Sequence, residues 1–278
     1  MLHERIDLPV NYKGKISNSN QKPFITTYLL DNYENLDPNR LRPLVVICPG
    51  GGYEHLSVRE SEAVAIKMNS LGFQAIILNY SLAPMEFPAS LCDLAEAIVL
   101  ARKKAGEWHV DPNKIIAAGF SAGGHLAATL GCYWNAGLLQ ELLPYKPLET
   151  KPNALLLSYP VITADVRYCH EASIRNVLGP GCEDERDFVS LENHVSKDVP
   201  PTFIWHTNED ESVPAENSMF FANALRSAGI PFEYHLFSKG IHGLSLATDE
   251  TSKPNGETVE KQCAVWPELF ANWLETAL

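Results

Sequence analysis

The sequence predicts an α/β fold, a mostly parallel central sheet with helices on both faces and a small cap-like insertion. Short runs rich in β-branched and aromatic residues alternate with longer stretches of helical period, the pattern of a parallel sheet covered on both sides. Several of the short runs are almost wholly apolar, as strands buried on both faces require. One polar, irregular stretch at about 161–200 interrupts the alternation and is long for a plain connection.

In chain order, FITTYLL from Phe24 reads as an edge strand paired antiparallel, and LVVICPG from Leu44 as the first buried strand. VRESEAVAIKMNSLG from Val58 reads as a helix that stops at Gly72, a residue suited to a helix C-terminus. FQAIILNY from Phe73 is the next strand. The longest helix is expected over 89–108, where Leu91, Leu94, Ile98, Ala101, Ala105 and Trp108 recur every three or four residues. That spacing leaves Arg102, Lys103 and Glu107 toward water. Strands KIIAAGFS from Lys114, ALLLSYP from Ala154, TFIWHT from Thr202 and FEYHLF from Phe232 follow. Further helices start near Ala122 and Glu216, and a last one covers 262–278. The insertion contains one short helical stretch near Ala172 to Leu178 and a solvated acidic patch, CEDERD; it is placed beside the active-site edge as a partial lid. No internal repeat or linker-like shift appears, so one domain over 1–278 is expected.

Composition narrows the function classes. The chain has 278 residues, 45% hydrophobic and 20% charged, enough apolar surface for a packed core. Its formal net charge of −12 opposes nucleic acid as a partner, because a polyanion is repelled by the mean field. The first residues, MLHERIDLPVNYKG, carry early charges with no apolar run behind them, unlike a secretory signal. No stretch approaches the ~20 apolar residues that span a bilayer. A cytoplasmic protein without a membrane partner is expected. Cys48, Cys92, Cys132, Cys169, Cys182 and Cys263 are scattered without a CxxC pair, and read as free, buried thiols rather than a metal or redox site.

The chemistry concentrates in a few segments. Gly119-Phe120-Ser121-Ala122-Gly123 is a GxSxG between a strand and a helix. A sharp turn there crowds the backbone, so small residues flank a serine that projects its hydroxyl clear of the sheet. A serine hydroxyl is a weak nucleophile until a neutral imidazole takes its proton. In a strand–serine–helix architecture the acid follows a late strand and the histidine follows the last one. His242, in SKGIHGLS directly after FEYHLF, fits that place, and Gly240 and Gly243 let its loop curl back. His206 and His235 fall within strand runs and read as core or edge histidines. His125 packs one turn beyond Ser121, while His3, His55, His109, His170 and His194 have no comparable setting. Among Glu209, Asp210 and Glu211 after TFIWHT, Asp210 is favoured because a short side chain freezes fewer rotamers; Glu209 is the alternative. Cys48-Pro49-Gly50-Gly51-Gly52-Tyr53 ends an early strand, where glycines let backbone N–H groups approach a developing oxyanion. Gly51 and Gly52, with the N–H of Ala122, are the expected donors. Phosphate binding does not fit, since neither GK[ST] nor GxGxxG spacing is present.

Taken together, PGGGY, NYSLAP with FPASLCDLAEAI, DPNKIIAAGFSAGGHLAA, PPTFIWHTNEDESVPAENS and GIHG resemble the α/β-hydrolase superfamily. The resemblance runs from LVVICPGGGY to the final helix. It is closest to acetyl-esterase and acetyl-xylan-esterase-like proteins (sugar hydrolase-like) related to hormone-sensitive-lipase-type esterases. It implies Ser121, Asp210 and His242 as the catalytic set and Gly51, Gly52 and Ala122 as oxyanion donors. It also implies a serine esterase acting on short-chain, acetyl esters, including acetylated sugars or xylo-oligosaccharides, with no cofactor and no metal. The lipase-like relatives have histidine where this chain has Pro49, which puts lipase-like specificity in doubt. Asp93 and the NYSLAP turn are implied as supports, and Tyr80 and Ser81 are residues that could touch substrate. An amidase or formamidase would use the same site. A prolyl-oligopeptidase-type peptidase would want a large extra domain, and a non-catalytic ligand-binding hydrolase fold would be expected to lack one of the three residues. Oligomeric state is not legible.

Overall fold

The computed structural model describes residues 1–10, 22–180 and 183–278. Cys182 and the start of the CEDERD patch lie outside the described residues. One eight-stranded sheet organises the rest. Its strands are β1 (Arg5–Asp7), β2 (Phe24–Tyr28), β3 (Arg42–Cys48), β4 (Gln74–Asn79), β5 (Val110–Phe120), β6 (Ala154–Ser158), β7 (Thr202–Thr207) and β8 (Phe232–Phe237). They lie in the order β1-β2-β4-β3-β5-β6-β7-β8. The first two strands pair antiparallel, β2 with β1 and with β4, as anticipated for FITTYLL, but the edge is the three-residue β1, so FITTYLL lies one strand in rather than at the edge; β3 through β8 run parallel.

Successive side chains of a strand point to opposite faces, and the core divides accordingly. Val46, Ala117, Leu155, Leu157 and Ile204 join one apolar cluster; Val45, Ile47, Ala118, Leu156, Phe203 and Trp205 join a second. The helices are α1 (Glu62–Ser70), α2 (Ala89–Lys103), α3 (Ala122–Tyr133), α4 (Gly137–Leu142), α5 (Pro147–Thr150), α6 (Glu171–Leu178), α7 (Glu216–Ala228) and α8 (Trp266–Ala277). Leu91, Leu94 and Ile98 of α2, Leu126 and Leu130 of α3, and Phe221 and Leu225 of α7 complete the first cluster. Val64 and Met68 of α1 and Trp266, Phe270 and Trp273 of α8 complete the second.

Several boundaries differ from the sequence expectation. The helix expected to reach residue 108 stops at Lys103, and turns carry the chain into β5 through Trp108 N→Lys104 O (2.9 Å) and Val110 N→Ala105 O (2.8 Å). Gly106 weakens any continuation, while Ala105 and Trp108 stay buried without helical geometry. β5 begins at Val110 rather than Lys114, because Val110 pairs with Arg42 before the register shifts. Asp111, Pro112 and Asn113 disguise that start as a turn. The segment from Val58 opens as a 3-10 turn, Val58–Glu60, and becomes α1 only after Ser61. The last helix starts at Trp266, with a proline in its first turn, rather than at 262. β1, α4 and α5 are too short to show a period and were not expected. Of the described cysteines, Cys48, Cys92, Cys132 and Cys263 are free and buried, and Cys169 is free but half-buried.

Candidate active site

Ligands of open α/β sheets gather beyond the carboxyl ends of the parallel strands, and the sequence-selected residues meet there. Ser121 occupies the single step between β5 and α3, at φ 53° and ψ −119°. A non-glycine residue at positive φ is strained and persists only where its surroundings over-determine it. Here the backbone is held on both sides, by Ser121 N→Ser158 O (3.0 Å) and Val161 N→Ser121 O (3.0 Å). The small flanking residues are a packing necessity. A Cβ on Gly119 would lie 2.0 Å from the Gly123 carbonyl oxygen, and one on Gly123 would lie 2.0 Å from that of Cys48.

His242 arrives on the loop after β8. Its Nε2 lies 2.8 Å from Ser121 Oγ, and its Nδ1 lies 2.6 Å from Asp210 Oδ2. An ionised carboxylate only accepts, so Nδ1 carries the proton and the neutral ring's Nε2 receives the serine hydroxyl. Asp210, after β7, is buried. Its Oδ1 accepts the N–H groups of Ser212 (3.0 Å) and Val213 (2.9 Å). Burial works to raise this carboxyl, but hydrogen bonds from His206 and His242 outweigh it and hold the group well below its ordinary value. The alternative, Glu209, is exposed and instead accepts Gly240 N–H at 3.3 Å.

The loop that ends β3 faces Ser121 and is tied at every residue. Tyr80 Oη donates to Pro49 O (2.6 Å), Gly50 N–H to Glu60 Oε2 (2.7 Å), Asn176 Nδ2 to Gly52 O (2.8 Å) and Ala83 N–H to Tyr53 O (2.8 Å). His55 N–H donates to Gly51 O (3.1 Å). A Cβ on Gly50 would sit 2.9 Å from Ser121 Cβ, which places this loop against the serine. Among the described residues, the N–H groups of Gly51, Gly52 and Ala122 donate to no protein acceptor. Tyr80 and Ser81 are buried, and Ser81 N–H donates to Asp93 Oδ2 (2.8 Å); all three act as supports of the turn and none lines the cleft.

Three groups escaped the sequence reading. Glu60 is 2% exposed and uses both carboxylate oxygens, one on Gly50 N–H and the other on Tyr159 Oη (2.7 Å). Tyr159 Oη in turn accepts Ser245 N–H (2.9 Å), and the ring stands edge-on to His242 with centroids 5.1 Å apart. Glu60 therefore joins the glycine loop to the histidine loop. His206, read as a core histidine, is fully buried, yet its Nε2 lies 3.3 Å from Asp210 Oδ2 while Nδ1 accepts from Ser218 Oγ (2.7 Å). His170, for which no setting was apparent, accepts Ser173 N–H at the start of α6 and lines the cleft; burial and the neighbouring His242 lower its pKa. None of these lies in a local motif. His125 packs as anticipated: Nδ1 accepts from Tyr53 Oη (2.8 Å) and Nε2 donates to Val189 O (3.0 Å).

Ser121, His242, Gly51 and Gly52 open onto a cleft of about 280 Å³, walled also by His55, Ser57, Arg59, His170, Asn176 and Ser212. Among the described residues no group of three or more His, Cys, Asp and Glu is arranged to hold a metal ion, and no helix is long and apolar enough to cross a membrane.

A mostly parallel sheet, with a serine on the turn after a central strand and an acid and a histidine after later ones, defines an α/β-hydrolase. The chain belongs to the BD-FAE family, whose model matches residues 30–225. It is 38% identical over 214 residues to endo-1,4-beta-xylanase B of Butyrivibrio fibrisolvens, covering 75% of this chain and 33% of that protein. With the acetylxylan esterase of Xylanibacter ruminicola it shares 31% identity over 210 residues, 73% of this chain and 41% of the relative. The matched region thus spans a third of the first relative's length and about two-fifths of the second's. Solved structures match nearly end to end. An acetyl ester-xyloside bifunctional hydrolase from Caldicellulosiruptor lactoaceticus superposes with a TM-score of 0.82 at 35% identity, over 98% of this chain and 96% of the other. The carboxylesterase Cest-2923 from Lactobacillus plantarum superposes with a TM-score of 0.85 at 32% identity, over 99% and 98%.

Proposed function

We propose that the protein is a serine esterase that hydrolyses short-chain, acetyl esters of sugars or xylo-oligosaccharides through an acyl-serine intermediate. The observation that carries this reading is the continuous hydrogen-bonded chain from Ser121 through His242, both lining the cleft, to the buried Asp210. Ser121 Oγ attacks the ester carbonyl carbon as its proton passes to His242 Nε2. The oxygen that becomes negative is received by the N–H groups of Gly51, Gly52 and Ala122. His242 then gives the proton to the departing alcohol oxygen, the C–O bond breaks, and an acetyl group remains on Ser121. Water, deprotonated by the same ring, attacks that ester and releases acetate. Asp210 stays ionised and stabilises the imidazolium without taking its proton.

The small cleft and its hydroxyl, amide and imidazole lining favour a short acyl group and a polar alcohol over a long acyl chain. The acetylxylan esterase and acetyl ester-xyloside hydrolase among the similar proteins support the same substrate class. The test is the Ser121→Ala variant on p-nitrophenyl acetate and acetylated xylo-oligosaccharides. Turnover is expected to drop by roughly 10⁴ to 10⁶. A variant as active as wild type would remove Ser121 from the chemistry.

A further inference from the structure

Arg59 stands apart from the other charged groups around the cleft. Glu60 is committed to Gly50 and Tyr159, Asp210 to His242, and Glu54 is exposed. The Arg59 side chain, by contrast, makes no hydrogen bond or ion pair among the described residues, although it is half-buried and lines the cleft. Glu257, a carboxylate that feels its charge, makes no ion pair with it and sits 3.9 Å from Lys253. In a chain with 34 acidic and 22 basic residues, an unpaired guanidinium in a cleft is an unusual arrangement. Partial burial of a cation is costly unless something pairs with it.

Its position is built rather than incidental. Ser245 Oγ donates to the Arg59 carbonyl at 2.6 Å, and the next residue, Glu60, is pinned between two loops. The guanidinium rests against Gly243, where a Cβ would come within 3.1 Å of one of its nitrogens. Gly243, at φ +77°, follows His242 directly. The side of the site beside His242 is where the leaving alcohol must lie, because that ring hands it a proton.

We propose that Arg59 forms a carboxylate-binding subsite on the leaving-group side, selecting acetyl esters whose alcohol carries an acid group, foremost a sugar bearing a uronic acid. A planar guanidinium matches a carboxylate with two parallel hydrogen bonds, and Ser57 and Ser212, which also line the cleft, offer hydroxyls to the adjoining sugar. The orientation of the subsite rests on the esterase reading, since His242 defines which side holds the alcohol; the binding itself does not.

The experiment therefore has a binding arm and a kinetic arm. In the first, Ser121→Ala protein is titrated calorimetrically with xylotriose and with xylotriose bearing one glucuronic acid. The acidic sugar is expected to bind on the order of tenfold more tightly, a preference reduced by solvent exposure, weakened by salt and lost when Arg59→Gln is added. In the second, 3-acetoxybenzoic acid and its methyl ester are compared on wild type, Arg59→Lys and Arg59→Gln. The ratio of kcat/KM, acid over methyl ester, is expected to fall in that order through KM, and a preference seen here but not with the sugar would assign the subsite to aromatic acids. Equal affinity for the two trisaccharides together with equal ester ratios across the variants would overturn the subsite. Absence of turnover on every ester would instead sink the esterase reading, leaving the titration to decide on Arg59.

Discussion

At the scale of single residues, the site depends on a buried carboxylate that no motif announces. Glu60 accepts from Gly50 and from Tyr159, so it holds the glycine loop and, through Tyr159, the loop that carries His242. Glu60→Gln keeps the size and one acceptor but turns an NH₂ toward Tyr159 Oη, which already receives Ser245 N–H. The proton of that hydroxyl then loses its acceptor. Preorganised donors lose much of their value when they can drift, so kcat is expected to fall about 10- to 100-fold with KM little changed. Steady-state kinetics on p-nitrophenyl acetate would read this, and an unchanged kcat would reduce Glu60 to a packing residue. Ser121, Asp210 and His242 were legible because each follows a strand in a fixed chain order and the serine needs small neighbours. Glu60 was not, because Tyr159 lies 99 residues away and SVRES carries no chemical signature. His206 was not, because FIWHT reads as a buried strand and only the turn after it brings Asp210, four residues on, back against the ring.

At the scale of elements, the parallel strands were readable because central strands are apolar on both faces, and the helix α6 because its short period stands out in a polar stretch. The end of α2 was hidden, since Ala105 and Trp108 keep the helical spacing while packing from turns. The insertion holds the site rather than merely bordering it. α6 sends Asn176 Nδ2 to Gly52 O at 2.8 Å, and Val177 O accepts Phe87 N–H at 2.6 Å, fastening the helix on the other side. Asn176→Ala removes one hydrogen bond worth about 1 kcal/mol from the loop that presents Gly51 and Gly52. A reduction of about fivefold in kcat follows if that energy is expressed in the transition state. A boronic acid, which forms a tetrahedral adduct with an active serine, should lose affinity by the same factor. Weakened turnover with undiminished boronic-acid affinity would show that α6 acts elsewhere.

At the scale of the whole molecule, acid stability is tied to the same architecture. His125 is buried where β3, α3 and the insertion meet, its two ring nitrogens engaged by Tyr53 Oη and Val189 O. Burial lowers its pKa from 6.5 to about 4, only partly opposed by the Val189 carbonyl. Between those values the unfolded chain binds a proton that the folded chain refuses, so stability rises with pH across the window and is lost as pH falls from 6.5 toward 4. The loss amounts to about 2 kcal/mol by pH 5 and about 3 kcal/mol by pH 4. Asp210, held below its ordinary value, adds a further loss in the same direction at still lower pH. Glu192 and Glu96 act the other way, because burial raises both and the folded chain holds their protons more firmly. His125→Asn removes the titrating ring while leaving a side chain that can still bond polar neighbours. Urea unfolding at pH 7, 6 and 5 should therefore show a shallower decline in the variant than in wild type, whatever its stability at pH 7. Parallel declines would mean that His125 takes up its proton equally in the folded and unfolded chain, and that the junction of loop, helix and insertion is wetter than its packing implies.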